Sequence, residues 1–205
     1  FGVQAGFSFV AYKPLGAVGN GGVIGSGDAA LAERLFILRG YGRAPGNLPG
    51  QAMFMDHALE GYNLPLDPLQ AAVVAVKLPF LDQWTQRRRE IAALYEQGLA
   101  GSVIGLPLFR PDSRPTFYLY VIRIPNRDKI YKAMRERGIE VGLHYAPPVY
   151  RQTAYRNGQL KNSINLPVTD RLAMELLGLP IAPELRDEEV EFVSTTLKEL
   201  LARQT

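Results

Sequence analysis

The chain opens on an apolar run, Phe7–Tyr12, that stops at Lys13-Pro14, and a second apolar run, Val23–Gly25, follows a glycine-rich turn over Gly16–Gly22. Both runs read as short sheet strands. Proline fixes φ and lacks an amide hydrogen, so the chain must leave the sheet at Pro14, with Lys13 at the strand end. Leu31, Leu35 and Leu38 then recur at helical spacing, which predicts a helix over Ala29–Arg39, N-capped by Asp28 and ended by Gly40 and Gly42. A loop rich in Gly and Pro is expected over Arg43–Leu59. Asp67 reads as the next N-cap, with Pro68 at the first helical position and Gln70 at the third, resembling a capping box. That helix should run through Ala71–Lys77 until Pro79 kinks or breaks it. A longer helix follows over Leu81–Leu99, with Trp84, Ile91, Leu94 and Tyr95 on one face.

Beyond a loop over Ser102–Pro115, the pattern alternates along Thr116–Ile124 and predicts a strand. A helix over Asn126–Arg137, closed by Gly138, and a strand over Ile139–Leu143 come next, and this strand–helix–strand run indicates a small α/β domain. Tyr145–Lys161 is rich in Pro and Tyr and reads as a loop over a cleft. Helices are expected over Asp170–Leu177 and Asp187–Ala202, the last with Val190, Val193, Leu197 and Leu200 on one face and an acidic first turn suited to the helix dipole.

Composition narrows the class. The 205 residues are 47% hydrophobic and 21% charged, a globular balance large enough for one good core or two small ones. The net charge of +3 suits an anionic small substrate. No basic run interleaves with aromatics, so nucleic acid is not an expected partner. The densest basic cluster, Arg87-Arg88-Arg89, sits on a predicted helix and reads as a solvated face. The absence of cysteine removes disulfides, thiol nucleophiles and Cys-based metal sites. His57 has no ligand partner at metal spacing and is expected to be structural or solvent-exposed; no metal site is expected. Nothing reads as a signal peptide or a membrane span, and a cytoplasmic location is expected.

The candidate chemistry gathers at Lys13. Its strand is apolar and aromatic, and partial desolvation disfavours the ammonium form, which is what a Schiff-base lysine needs. Ser8 reads either as a hydroxyl offered to an anion or as a strand serine bonded to backbone. The glycines between Gly16 and Gly22 match no nucleotide fingerprint and read as turn residues. His144 has a plain reading as a buried structural histidine bonded to backbone.

Four blocks, in order, resemble one family. Ser8-Phe9, Lys13, Leu15-Gly16-Ala17 and Gly19-Asn20-Gly21-Gly22 look like the pyridoxal-phosphate segment of the DegT/DnrJ/EryC1/StrS sugar aminotransferases. Glu60-Gly61-Tyr62-Asn63 with Leu66-Asp67-Pro68-Leu69-Gln70, Gly142-Leu143-His144-Tyr145 with Pro147-Pro148, and Leu179-Pro180 with Pro183-Glu184-Leu185 resemble its later signatures. Pro65 and Asn20 stand where arginine and aspartate are common in the family, and Tyr118 and Tyr150 stand where histidines are. The resemblance implies an α/β, fold-type I pyridoxal-phosphate transferase like aspartate aminotransferase. Residues 1–66 would end the large cofactor domain, 67–100 would form interdomain helices, and 101–205 the small α/β domain. Since most of the family's large domain precedes the position of Phe1, the chain reads as the C-terminal half of such an enzyme. Lys13 would be the catalytic, cofactor-bound lysine, Ser8 would contact the cofactor phosphate, and Asn63 would reach the phosphate in a neighbouring subunit. His144 and Tyr145 would line the substrate cleft. The implied partners are a nucleotide-linked keto sugar, an amino-acid donor such as glutamate, and a second copy in a homodimer with shared sites. The implied role is amino-sugar biosynthesis for surface polysaccharide or a natural product. A reading of another class is a fragment that folds or dimerises without holding cofactor.

Overall fold

Short runs of small and apolar residues at the start of the chain pair into a hairpin. In the computed structural model, which describes residues 4–43, 57–156 and 164–203, strand β1 (Gln4–Ser8) lies antiparallel to β2 (Gly22–Ser26), in register from Gln4 opposite Ser26 to Ser8 opposite Gly22. The chain divides into two units, residues 1–81 and 82–205.

In the first unit the strand expected to reach Tyr12 stops at Ser8. Phe9 still donates to the Gly21 carbonyl, but Lys13 N–H returns to the Val10 carbonyl at 2.8 Å and Ala17 N–H to the Phe9 carbonyl at 2.8 Å. A backbone that turns on itself there cannot extend the ladder. Helix α1 (Ala29–Arg39) is capped as expected, with Asp28 Oδ1 accepting from Leu31 N–H at 3.1 Å. Helix α2 (Pro68–Lys77) starts at Asp67, whose Oδ1 accepts from Leu69 N–H at 2.8 Å and Gln70 N–H at 3.4 Å. Only half of the expected capping box forms, because the Gln70 side chain is engaged elsewhere. Pro79 breaks the α-helix into a single tighter turn, Leu78–Phe80, before α3 (Leu81–Leu99) begins.

The second unit holds an apolar core. Ile91, Tyr95 and Leu99 of α3 pack with Ile122 of β3 (Tyr120–Arg123), Ile130 and Met134 of α4 (Arg127–Glu136), Leu177 of β4 (Leu176–Leu179) and Leu197 of α7 (Asp187–Ala202). Trp84 and Leu94, expected on the same face of α3, are half-buried. Tyr95 carries its hydroxyl into this core by donating to the Pro180 carbonyl at 2.7 Å. Strands β3 and β4 pair antiparallel, Tyr120 opposite Leu179.

Three expectations change here. The strand predicted from Thr116 begins at Tyr120, because Phe117 sits at φ +47°, outside the extended region. Ile139–Leu143 is not a strand; Gly142 makes an isolated bridge to Gly178. The helix predicted over Asp170–Leu177 is α6 (Pro167–Glu175), and the leucines after it form β4, which the pattern did not reveal. A short leucine run fits helix and strand alike. Helix α4 ends at Glu136, just before Gly138 turns the chain at φ +76°, and α7 keeps its predicted bounds. The Tyr145–Lys161 segment carries a tight turn, Val149–Arg151, and the short α5 (Thr153–Arg156); residues 157–161 lie outside the described ones, as do 44–56 of the Arg43–Leu59 loop.

The arginine cluster of α3 is not a solvated face. Arg88 is buried and donates to the Phe117 carbonyl at 3.3 Å and the Ile181 carbonyl at 2.7 Å. Arg89 donates to the Pro115 carbonyl at 3.0 Å, and Arg87 to the Leu185 carbonyl and Asp187, both at 2.6 Å. The guanidinium fork satisfies carbonyls of loops that have no ladder of their own.

Candidate functional site

Lys13 and Ser8 bracket the point where the first unit's backbone leaves its sheet. Ser8 ends β1 and is exposed; its Oγ accepts weakly from Val10 N–H at 3.4 Å. Lys13 is half-buried, and its Nζ lies 5.4 Å from the centroid of the Tyr12 ring. The loop that carries it is fastened to α2 twice. Gln70 Oε1 accepts from Val18 N–H at 3.0 Å, and Lys77 Nζ donates to the Gly16 carbonyl at 2.7 Å. Between those tethers Ala17 is buried. These bonds fix the loop on both sides of its glycine-rich turn, so the lysine springs from a defined backbone rather than a free strand end.

Asn63 is placed by the end of α1. The last helical carbonyls of Leu38 and Arg39 accept from Tyr62 N–H at 2.7 Å and Leu64 N–H at 3.0 Å, and Tyr41 N–H donates to the Tyr62 carbonyl at 2.9 Å. A segment that satisfies otherwise orphaned helix carbonyls is held in register by them. Gly42 and Gly61 make the approach possible: a Cβ on Gly42 would strike the Leu59 carbonyl, and one on Gly61 the Gly42 nitrogen. Asn63 itself is exposed and forms a bridge with Gly40. His57 is also exposed, with Nδ1 2.8 Å from the Tyr41 carbonyl oxygen, in keeping with a structural or solvent-facing residue.

His144 and Tyr145 belong to the second unit. Burial holds the His144 imidazole below its ordinary value of 6.5, favouring the neutral ring. Its Nδ1 is sealed and makes no hydrogen bond among the described residues. The exposed Tyr145 ring meets it edge to face, with centroids 5.2 Å apart. The following segment is clamped to α6: Asp170 accepts from the Tyr150 hydroxyl and from Arg151, both at 2.6 Å. These two donors, Arg151 foremost, hold the Asp170 carboxyl below the usual carboxylate range.

The structure thus places Ser8, Lys13 and Asn63 on one unit and His144 and Tyr145 on the other. Sequence reasoning missed the tethers Gln70 and Lys77. Gln70 reads naturally as a capping residue, and only the long-range bond to Val18 reveals its other use. Among the described residues no cluster of His, Asp or Glu is arranged to hold a metal ion. No described helix is long and apolar enough to cross a membrane.

Comparison with known proteins points to the same family. The model of the DegT/DnrJ/EryC1/StrS aminotransferase family matches residues 1–198. The chain is 38% identical over 200 residues to a dTDP-3-amino-3,4,6-trideoxy-alpha-D-glucose transaminase of Streptomyces venezuelae, covering 97% of this chain and 50% of that protein. It is 30% identical over 201 residues to a UDP-N-acetyl-3-dehydro-alpha-D-glucosamine 3-aminotransferase of Acidithiobacillus ferrooxidans, covering 98% and 52%. Among solved structures it superposes on DesV of S. venezuelae with a TM-score of 0.85 at 38% identity, over 96% of this chain and 51% of that one. A family aminotransferase from Brucella abortus gives 0.86 at 29% identity, over 98% and 51%. The chain therefore spans about half the length of the curated relatives it matches. Its α/β architecture is that of the fold-type I sugar aminotransferases. With a family model spanning nearly every residue and the lysine block, the Asn63 block and the His144 block in their expected order, the chain belongs to the DegT/DnrJ/EryC1/StrS aminotransferase family.

Proposed function

We propose that the protein serves as a pyridoxal-phosphate-dependent aminotransferase that moves an amino group from glutamate to a nucleotide-linked keto sugar, as a cytoplasmic homodimer with shared sites. The observation that carries this reading is the half-buried Lys13 in a loop tethered by Gln70 and Lys77, which follows a strand that ends on a serine hydroxyl. The relatives named as transaminases of dTDP- and UDP-linked sugars supply the substrate class. In this reading residues 1–66 close the large domain, 67–100 form the interdomain helices and 101–205 the small domain.

The donor set suits this cofactor. It offers an amine, a hydroxyl and a carboxamide in one unit, with no carboxylate or imidazole cluster that would favour a metal among the described residues. Ser8 and Asn63 are both exposed, with polar ends available to phosphate oxygens. Pyridoxal phosphate, when bound, supplies an aldehyde that condenses with amines and a ring that draws electrons from the adjacent substrate carbon.

The chain's own residues then have distinct tasks. Lys13 Nζ would hold the cofactor by its aldehyde, and its free amine would hold and move the proton at the substrate carbon that bears nitrogen. Ser8 Oγ–H would donate to a phosphate oxygen of the same site, and the Asn63 amide to that of a neighbouring subunit. His144 and Tyr145 bound the sugar. The loop tethers keep Lys13 from wandering, which a proton shuttle at one carbon requires.

The test follows nitrogen. The cofactor-loaded protein is given ¹⁵N-glutamate with dTDP- or UDP-linked 3-keto sugars, and products are read by mass. The reading predicts ¹⁵N-labelled amino sugar that disappears in Lys13→Ala. Undiminished turnover by Lys13→Ala contradicts it.

A further inference from the structure

The imidazole of His144 rests against two positions that carry no side chain. Gly142 and Gly178 face each other across an isolated bridge, exchanging N–H···O bonds of 2.9 Å and 2.8 Å. A Cβ on Gly178 would come within 2.5 Å of His144 Cδ2 and 2.8 Å of Nε2, and one on Gly142 would strike Nε2 directly. At Gly142 the nearest atoms to such a Cβ are all of this ring. Nδ1 is among the nearest atoms at neither position; it is the nitrogen that is sealed without a partner among the described residues. A buried N–H left unpaired is rarer and more costly than an unpaired lone pair, which assigns the proton to Nε2.

We propose that Gly142 and Gly178 are positioning residues that floor the His144 ring and keep its Nε2 edge clear, so that Nε2–H is presented as a hydrogen-bond donor to an oxygen of the sugar substrate. The substrate class rests on the function proposed above; the glycine floor does not. Glycine is required at both positions for the same reason, because any larger residue would occupy the place of the ring edge. The ring is the movable partner in that clash, so alanine at either position displaces the histidine while the bridge persists.

The experiment uses ¹⁵N-labelled protein with His57→Gln to leave one histidine. Long-range ¹H–¹⁵N spectra should show the Nε2–H tautomer, and ring protons should show contacts to the α-protons of Gly142 and Gly178. Gly178→Ala and Gly142→Ala should each lose those contacts and raise KM for the nucleotide sugar about tenfold, with kcat changed less than about threefold. Gly25→Ala, whose added methyl meets nothing within 4 Å, should do neither. Ring contacts retained in both alanine variants, or an Nδ1–H tautomer in the parent, would overturn the proposal. Lost contacts with an unchanged KM would overturn it as a positioning device while leaving the role of Lys13 untouched. Absence of turnover in the parent protein would count against the proposed function alone, since the spectra read the floor independently.

Discussion

The two units hold their shape by different means. The second is built around apolar side chains: Ile91, Tyr95, Ile122, Ile130, Met134, Leu177 and Leu197 are each fully enclosed. In the first, Ala17 and Val74 are the buried apolar residues among those described, α1 buries none of its side chains, and Phe7, Val23 and Ile24 of the hairpin are exposed. What fixes the Lys13 loop is a set of hydrogen bonds to α2, and what fixes Asn63 is a set of bonds to the end of α1. A core resists global unfolding, whereas a tether sets local geometry and can be lost without the fold. The unit that carries the candidate lysine is therefore the one in which placement and stability are separable.

The contrast can be broken most strongly in the core. Ile122→Ala, at a position with 0% exposure, should lower stability by about 2–5 kcal/mol, read by urea unfolding through the single tryptophan, Trp84. Val23→Ala, exposed in β2, should change stability by less than about 0.5 kcal/mol, read by hydrogen exchange of the hairpin. Equal losses in the two units would erase the distinction drawn here. Next in size is Arg88→Met, which leaves the Phe117 and Ile181 carbonyls without their donor. It should lower stability by about 1.5–3 kcal/mol, with faster exchange around those loops. Smaller again is Gln70→Ala. Removing the acceptor of Val18 N–H should cost about 1 kcal/mol locally, a roughly fivefold faster exchange of that amide, with the urea midpoint unmoved.

The smallest effect is a pH dependence. The folded His144 imidazole lies below its unfolded value of 6.5 because burial disfavours the charged ring. Its contribution is therefore complete above about 6.5 and is lost as pH falls through the folded value. Urea midpoints of the parent should drop over that acid range more than those of His144→Gln. Parallel curves would mean that the ring is not desolvated in the fold.

Much of this was legible in the chain. Caps and proline positions fixed α1, α2, the break at Pro79 and the long helix α3, since local chemistry decides helix ends. The candidate lysine was visible because Lys13-Pro14 interrupts an apolar run, although the strand itself already ends at Ser8. The short strands were not. β4 is four residues of Leu and Gly whose pairing with β3 depends on partners far away in sequence. The arginine cluster was misread because three adjacent charges on a helix look solvated until loop carbonyls are seen to converge on them. Gln70 and the glycine floor under His144 were hidden for the same reason: each gains its meaning from a residue on another element.

The central claim is that the tethered loop presents Lys13 to an aldehyde-bearing cofactor, and one chemical experiment addresses it directly. The purified protein is mixed with pyridoxal phosphate, reduced with borohydride and digested, and the modified peptide is mapped by mass. The account predicts label concentrated on the peptide containing Lys13, and lost in Lys13→Ala. Label scattered over surface lysines, or undiminished in that variant, would contradict it.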